Sequence, residues 1–233
     1  MPTILPMPWP ICTRCGEYIH VCVCAREKRW AADLLLHCCM TWLVSHTSPL
    51  SLFISIVYRD LKPDNIGYDI HDDIKLFDFG LSKEITSAIP RDESDDSLFH
   101  LTATTGTIAY MAPEVALGKP YNYKCDVYSM GILLWQMLAL KRPYANYVGL
   151  KSKTTNVFEK GKRPPIDKAW PSELSLLLNR AWDKDLSARH DMSTLSASLK
   201  THVVKLRGGD ESGMDHVRRR STFVFRGSDR YNS

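Results

Sequence analysis

The run CDVYSMGILLWQMLAL, Cys125 to Leu140, is apolar on almost every side of a 3.6-residue period. A helix of that kind has no face to offer water. It belongs in the middle of a domain, and the rest of the chain must supply the elements that cover it. Asp126, the only carboxylate in the run, falls at the N-terminal end, where the helix dipole favours negative charge. Two further helical patterns follow, near Pro171 to Trp182 and near Met192 to Leu206. Between Val57 and about Leu206 these local signals agree with one another, as expected of one folded, mostly helical domain.

Upstream of that helix, VYRDLKPDNIGYDIHDDIKLFDFG, residues 57 to 80, sets carboxylates, an amide and lysines around short apolar runs. A polar hairpin tolerates such a composition, whereas a phosphate site requires it. Magnesium and a transferring phosphoryl group need hard oxygen ligands and a general base held close together. Spacing favours the second reading. Asp60, Lys62 and Asn65 fall in one loop; after a turn at Tyr68 to Asp73, a strand Ile74 to Phe77 delivers Asp78, Phe79 and Gly80.

That order is the one in which a protein kinase carries its catalytic loop and its magnesium-binding Asp-Phe-Gly. Further on come Gly106-Thr107, Ala112-Pro113-Glu114 and Asp126 within DVYSMG, again in kinase order. The chain therefore resembles the C-terminal lobe of a eukaryotic protein kinase. LKPDN looks like the serine/threonine enzymes, and DVYSMGILLWQML with Ala181-Trp182 looks most like their tyrosine-kinase-like branch. The resemblance implies an α+β, kinase-like fold: a mostly helical lobe with a short β-hairpin carrying Asp60 to Asp78.

The resemblance also implies roles. Asp60 would orient the substrate hydroxyl and accept its proton, and Lys62 would lie against the γ-phosphate as a point charge. Asn65 and Asp78 would ligate Mg2+, and Gly80 would permit the turn that aims Asp78. Thr107 would hydrogen-bond near Asp60 and Lys62, and Glu114 would form a buried ion pair with Arg189. Arg59 could bind a phosphate added to the activation loop, with Thr102, Thr104 and Thr105 as acceptors. The implied activity is transfer of the ATP γ-phosphate to serine or threonine of protein substrates. The alternative is a non-catalytic, kinase-like binding module. Two departures from the family pattern stand out, Tyr58 for a histidine and His190 for a proline, and both are expected to be benign.

Outside residues 56–206 the sequence is less coherent. Six of the seven cysteines, Cys12, Cys15, Cys22, Cys24, Cys38 and Cys39, precede residue 40. Cys12-x-x-Cys15 with His20, Cys22 and Cys24 supplies zinc-ligand types, but Cys-x-Cys is a poor second knuckle, and reduced thiols in a cytoplasmic chain are the expected reading. Residues 1–55 are read as an atypical Cys-rich segment, with one helix conceivable over Ala31 to Leu43. They hold neither a Gly-rich loop nor a strand lysine: Gly16 and Lys28 are the only residues of their kinds before Ile56. An N-terminal lobe is thus expected to be largely absent, leaving an exposed apolar face and weak activity or none.

Residues 207–233, rich in Gly, Ser and charge, are expected to form a disordered tail, with Ser221 after Arg218 to Arg220 as a phosphorylation acceptor. Thr86 to Leu101 is acidic and aperiodic, which suits a regulated loop. Composition excludes other classes: 44% hydrophobic and 24% charged residues are ordinary for a globular chain, and a formal charge of +4, thinly spread, argues against nucleic acid. The apolar run Leu34 to Val44 is too short to span a membrane.

Overall fold

The computed structural model describes residues 55–68 and 74–206. The Cys-rich segment with its zinc-ligand types, the Ala31 to Leu43 helix and the tail with Ser221 lie outside the described residues.

Four short strands pair as two separate antiparallel ribbons. Strand β1 (Ser55–Val57) pairs with β4 (Lys83–Ile85), with Ile56 opposite Glu84. Strand β2 (Ile66–Tyr68) pairs with β3 (Ile74–Leu76), with Gly67 opposite Lys75. The second ribbon is the hairpin expected from the sequence; the first is not evident there, because three-residue strands leave almost no alternation to read. Together the ribbons bring the two ends of the 57–80 stretch side by side: β1 leads into Arg59 and Asp60, and β3 leads into Asp78.

The helices follow: α1 (Pro113–Ala116), α2 (Lys124–Ala139), α3 (Gly149–Lys153), a π-helical turn (Thr154–Glu159), α4 (Ser172–Ala181) and α5 (Met192–Leu206). Pro113 opens α1 at a position where its missing N–H costs nothing. Asp191 caps α5 by accepting the Thr194 N–H at 2.7 Å. Helix α2 ends at Leu140, which takes a left-handed conformation with φ 52°.

Helix α2 is the core of the lobe. Every residue from Cys125 to Trp135 is buried, including Asp126 and Ser129. Gly131 lies at the closest approach of α4: a Cβ there would sit 2.9 Å from the Ala181 Cβ. Glycine and alanine facing each other let the two helices touch. The helix-weakening residue in mid-α2 thus has a packing reason. Leu174, Leu177 and Leu178 of α4 and Leu195, Leu199 and Val203 of α5 complete the cluster.

A buried ion pair ties α1 to the far end of the chain. Arg189 is fully buried; its Nη1 donates to Glu114 Oε1 at 2.6 Å and its Nη2 to Oε2 at 3.1 Å. The guanidinium also donates to the carbonyls of Asp183 and Lys124, so little of its charge is unsatisfied. Arg189→Ala should therefore destabilise the domain by about 3–5 kcal/mol, because it strands a buried carboxylate and two carbonyls. Urea denaturation checks this, and a loss under about 1 kcal/mol would show that water reaches Glu114. The adjacent His190 offers a backbone N–H to the Arg180 carbonyl at 3.2 Å, a bond that proline cannot make.

Candidate functional site

Tyr58, Arg59 and Asp60 leave β1 and turn sharply. Arg59 takes φ 70°, the left-handed region that is costly for a side chain of its size. Asp126 holds that turn. Its Oδ2 accepts the Tyr58 N–H and its Oδ1 the Arg59 N–H, both at 2.8 Å. The buried carboxylate at the head of the central helix thus anchors the loop that carries Asp60.

Burial pushes the Asp126 carboxyl up to about 6, against the two backbone N–H bonds and the Arg59 charge that favour its ionised form. A folded-state value above the ordinary 3.8 means that the folded protein binds this proton more tightly than the unfolded chain. The contribution of Asp126 to stability therefore rises as pH falls through about 6 toward about 4, and declines again as pH climbs back through 6. Asp126→Asn should flatten that part of the stability profile. It should also cost about 1–3 kcal/mol at neutral pH, since one backbone N–H then faces an amide N–H2. Denaturation midpoints across that pH range test both statements; an unaltered slope would show that another group titrates there.

Asp60 sits at the centre of a converging set. Lys62 Nζ donates to its Oδ2 at 2.8 Å and to Thr107 Oγ1 at 3.0 Å. Thr107 donates to Asp60 Oδ1 through its backbone N–H at 2.8 Å and through its hydroxyl at 2.6 Å. Asn65 Nδ2 donates to the Asp60 carbonyl at 2.9 Å and to Oδ2 at 3.1 Å. Burial opposes ionisation of Asp60, but the bonds from Lys62, Thr107 and Asn65 outweigh it and hold the carboxyl below its usual range. A carboxylate kept ionised and oriented on both oxygens is a weak base, suited to accepting a hydrogen bond from a hydroxyl group and holding it in place.

Asn65 directs its amide nitrogen at Asp60, which leaves its Oδ1 as the atom to meet a cation. Asp78 is a second candidate oxygen donor: it is exposed, takes φ 52°, and accepts the Gly80 N–H on Oδ1 at 3.2 Å. The left-handed residue of this turn is Asp78 itself. Gly80 lies outside that region, so the turn does not draw on its conformational freedom; it contributes an N–H and room, since a Cβ there would lie 3.1 Å from Asp78 Oδ1. One carboxylate and one amide oxygen are a sparse set for a free ion but suit magnesium, which keeps waters and shares phosphate oxygens.

Tyr58 packs at the border of the site, where Asn65, Asp60 and Asp78 act on its hydroxyl. Its ring is buried and meets Phe79 edge-on at 5.3 Å between centroids, while its hydroxyl donates to the Phe77 carbonyl. Burial pushes the phenol well above its ordinary range. Phe77, Phe79 and Leu81 are exposed large hydrophobics around Asp78.

The activation-loop residues are linked to the site in a way the sequence does not reveal. Arg59 Nε donates to the Leu81 carbonyl at 2.6 Å, and its Nη1 reaches Tyr121 Oη at 3.4 Å. Tyr121 in turn donates to the Thr102 carbonyl at 2.8 Å. Thr102 and Thr104 are exposed; Thr105 donates its hydroxyl to the carbonyls of Thr102 and Ala103. Arg59 forms no hydrogen bond with any of the three threonines, and Tyr121 is the bridge. Nothing in KPYNYK distinguishes Tyr121 from its neighbour Tyr123 except that one is fully buried and the other exposed.

Residues 53–199 match the protein kinase domain, well over half of the chain. The chain belongs to the protein kinase family. It is 38% identical over 146 residues to serine/threonine-protein kinase STY46 of Arabidopsis thaliana, covering 63% of this chain and 24% of that one. It is 33% identical over 162 residues to human mitogen-activated protein kinase kinase kinase 7, covering 67% and 24%. With the dual specificity protein kinase shkC of Dictyostelium discoideum it shares 32% over 159 residues, 68% of this chain and 30% of that one. This kinase chain therefore spans about a quarter to a third of the length of these relatives. No helix among its described residues is long and apolar enough to cross a membrane.

Proposed function

We propose that this kinase domain transfers the γ-phosphate of ATP to serine or threonine hydroxyls of protein substrates. The observation that carries the reading is the convergence of Lys62, Asn65 and Thr107 on the two oxygens of Asp60. Such an array serves no packing purpose that an apolar loop would not serve better.

Asp60 orients the acceptor hydroxyl and takes its proton as the oxygen bonds to the γ-phosphorus and the bond to the β-phosphate breaks, releasing ADP. Lys62 places a positive charge beside the transferring group. Asn65 Oδ1 and Asp78 would hold Mg2+, which would neutralise charge on the phosphate oxygens. Arg59 is the receiving end for a phosphate on the loop, with Thr102, Thr104 and Thr105 as the candidate acceptors. We read residues 56–206 as the C-terminal lobe and place the protein in the cytoplasm, in keeping with the unpaired, buried thiol of Cys125.

Transfer of label from γ-labelled ATP to a serine- and threonine-containing protein, with magnesium and then with chelator, tests the proposal. Magnesium-dependent labelling of hydroxyl side chains is the expected result. Failure of magnesium-ATP both to label a substrate and to raise the melting temperature would favour a non-catalytic module.

A further inference from the structure

A cavity of about 500 Å3 opens beside the reacting centre. One wall is Pro63 and Asp64, the residues that follow Lys62 in the catalytic loop. The floor includes Tyr110, whose hydroxyl donates to Gln136 Oε1. The far wall is the connection from α2 to α3, with Arg142 and Lys153 both lining the space. Asp64 lies four residues along the same loop from Asp60, so the cavity adjoins the segment that carries the site.

The far wall has a consistent sign. From Lys141 to Phe158 the chain carries Lys141, Arg142, Lys151 and Lys153 and no acidic residue. Lys141, Arg142 and Lys151 are exposed and Lys153 is half-buried where it lines the cavity. Between them Val148 stands 85% exposed and Leu150 59%. These are large apolar side chains held in water at the tip of a basic surface, which is how a contact patch differs from a merely solvated charge run. Asp64 gives the near wall the opposite sign, so an anionic residue is repelled next to the acceptor and drawn toward α3.

Resting on the kinase reading above, we propose that this cavity and the α3 surface select protein substrates with an acidic segment, rich in Asp and Glu, displaced from the acceptor hydroxyl. Arg142 and Lys153 are specificity-determining residues that touch that segment, and Val148 packs on its apolar parts. Charge complementarity between a basic wall and a carboxylate segment raises both encounter rate and preference over wrong partners.

The test is equilibrium binding of short fluorescent peptides to the whole chain, without nucleotide, by anisotropy. The peptides share a central threonine and differ in flanks: Asp and Glu, Ala, or Lys and Arg. A single-stranded oligonucleotide of similar charge is a further arm. The acidic peptide should bind about 5–10-fold tighter than the Ala peptide at low salt, the preference shrinking as salt is added. Arg142→Gln with Lys153→Gln should bring the ratio of acidic-peptide to Ala-peptide affinity close to one, and a ratio that stays at the parent value would overturn the proposal. Equal binding of all peptides, no binding of any, or tighter binding of the oligonucleotide than of the acidic peptide at physiological salt would each overturn the proposal. Phosphotransfer is not the readout. A chain that prefers acidic peptides but does not label them defeats the kinase reading alone, and one that labels acidic and neutral peptides equally defeats only this one.

Discussion

Replacing Gly106 with alanine is expected to lower the stability of the domain by about 3 kcal/mol or more, although only a methyl group is added. Two causes act together. Gly106 has φ 105°, a conformation that residues with a Cβ rarely adopt, and a Cβ at that position would lie 2.1 Å from the Arg59 carbonyl oxygen. The neighbour is backbone, and the backbone of Arg59 is already held by Asp126 at φ 70°. It cannot yield without dragging Asp60 away from Thr107. Gly149 is the control: its φ is 78° but a Cβ there would meet nothing within 4 Å. Gly149→Ala should therefore cost only the backbone term, roughly 1 kcal/mol. Urea denaturation of both variants separates collision from strain; equal losses would mean that the Gly106 contact relaxes and that the catalytic loop is softer than its hydrogen bonds suggest.

Helix α2 was legible because sixteen nearly continuous apolar residues leave only one environment for a helix, and α5 because Met192 to Leu206 carries a helical pattern. The order of Asp60, Lys62, Asn65 and Asp78 was legible because charged side chains at fixed spacing around a hairpin have few uses. The Glu114–Arg189 pair and the bonds of Thr107 to Asp60 came from the family resemblance, and what escaped was the remainder of what contacts distant in sequence set. The β1–β4 ribbon joins residues nearly thirty apart through strands of three. Tyr121 takes its bridging place only through the position of Arg59 and Thr102 in space. Helix α3, whose Gly149 and Lys153 line the cavity, and the π-helical turn after it lack a clear apolar period of their own. The conformational role expected of Gly80 belongs to Asp78, because a glycine after a catalytic aspartate suggests a turn without saying which residue bears it.

In a protein that carries a kinase N-terminal lobe ahead of Ile56, Asp78→Asn and Asp60→Asn are both expected to reduce kcat/KM for phosphotransfer by about 100-fold to 10,000-fold, and they should differ in stability. Asp78 is exposed, and the hydrogen bond it accepts from the Gly80 N–H can be kept by the amide oxygen of asparagine. The melting temperature of that variant should stay within a degree or so of the parent, and the loss should appear as a weaker response to magnesium. Asp60 is different, because each carboxylate oxygen accepts two bonds: Oδ1 from the N–H and hydroxyl of Thr107, Oδ2 from Lys62 and Asn65. Asparagine has a single acceptor oxygen, so its N–H2 must confront either the Thr107 donors or the Lys62 ammonium. The near-isosteric swap is thus not silent here and should cost about 1–3 kcal/mol in addition to activity. Measuring kcat/KM against magnesium concentration, beside urea midpoints for both variants, distinguishes the two losses. An Asp60→Asn protein that is fully stable yet inactive would show that the four bonds rearrange freely. Retained activity in both variants would remove these carboxylates from the mechanism altogether.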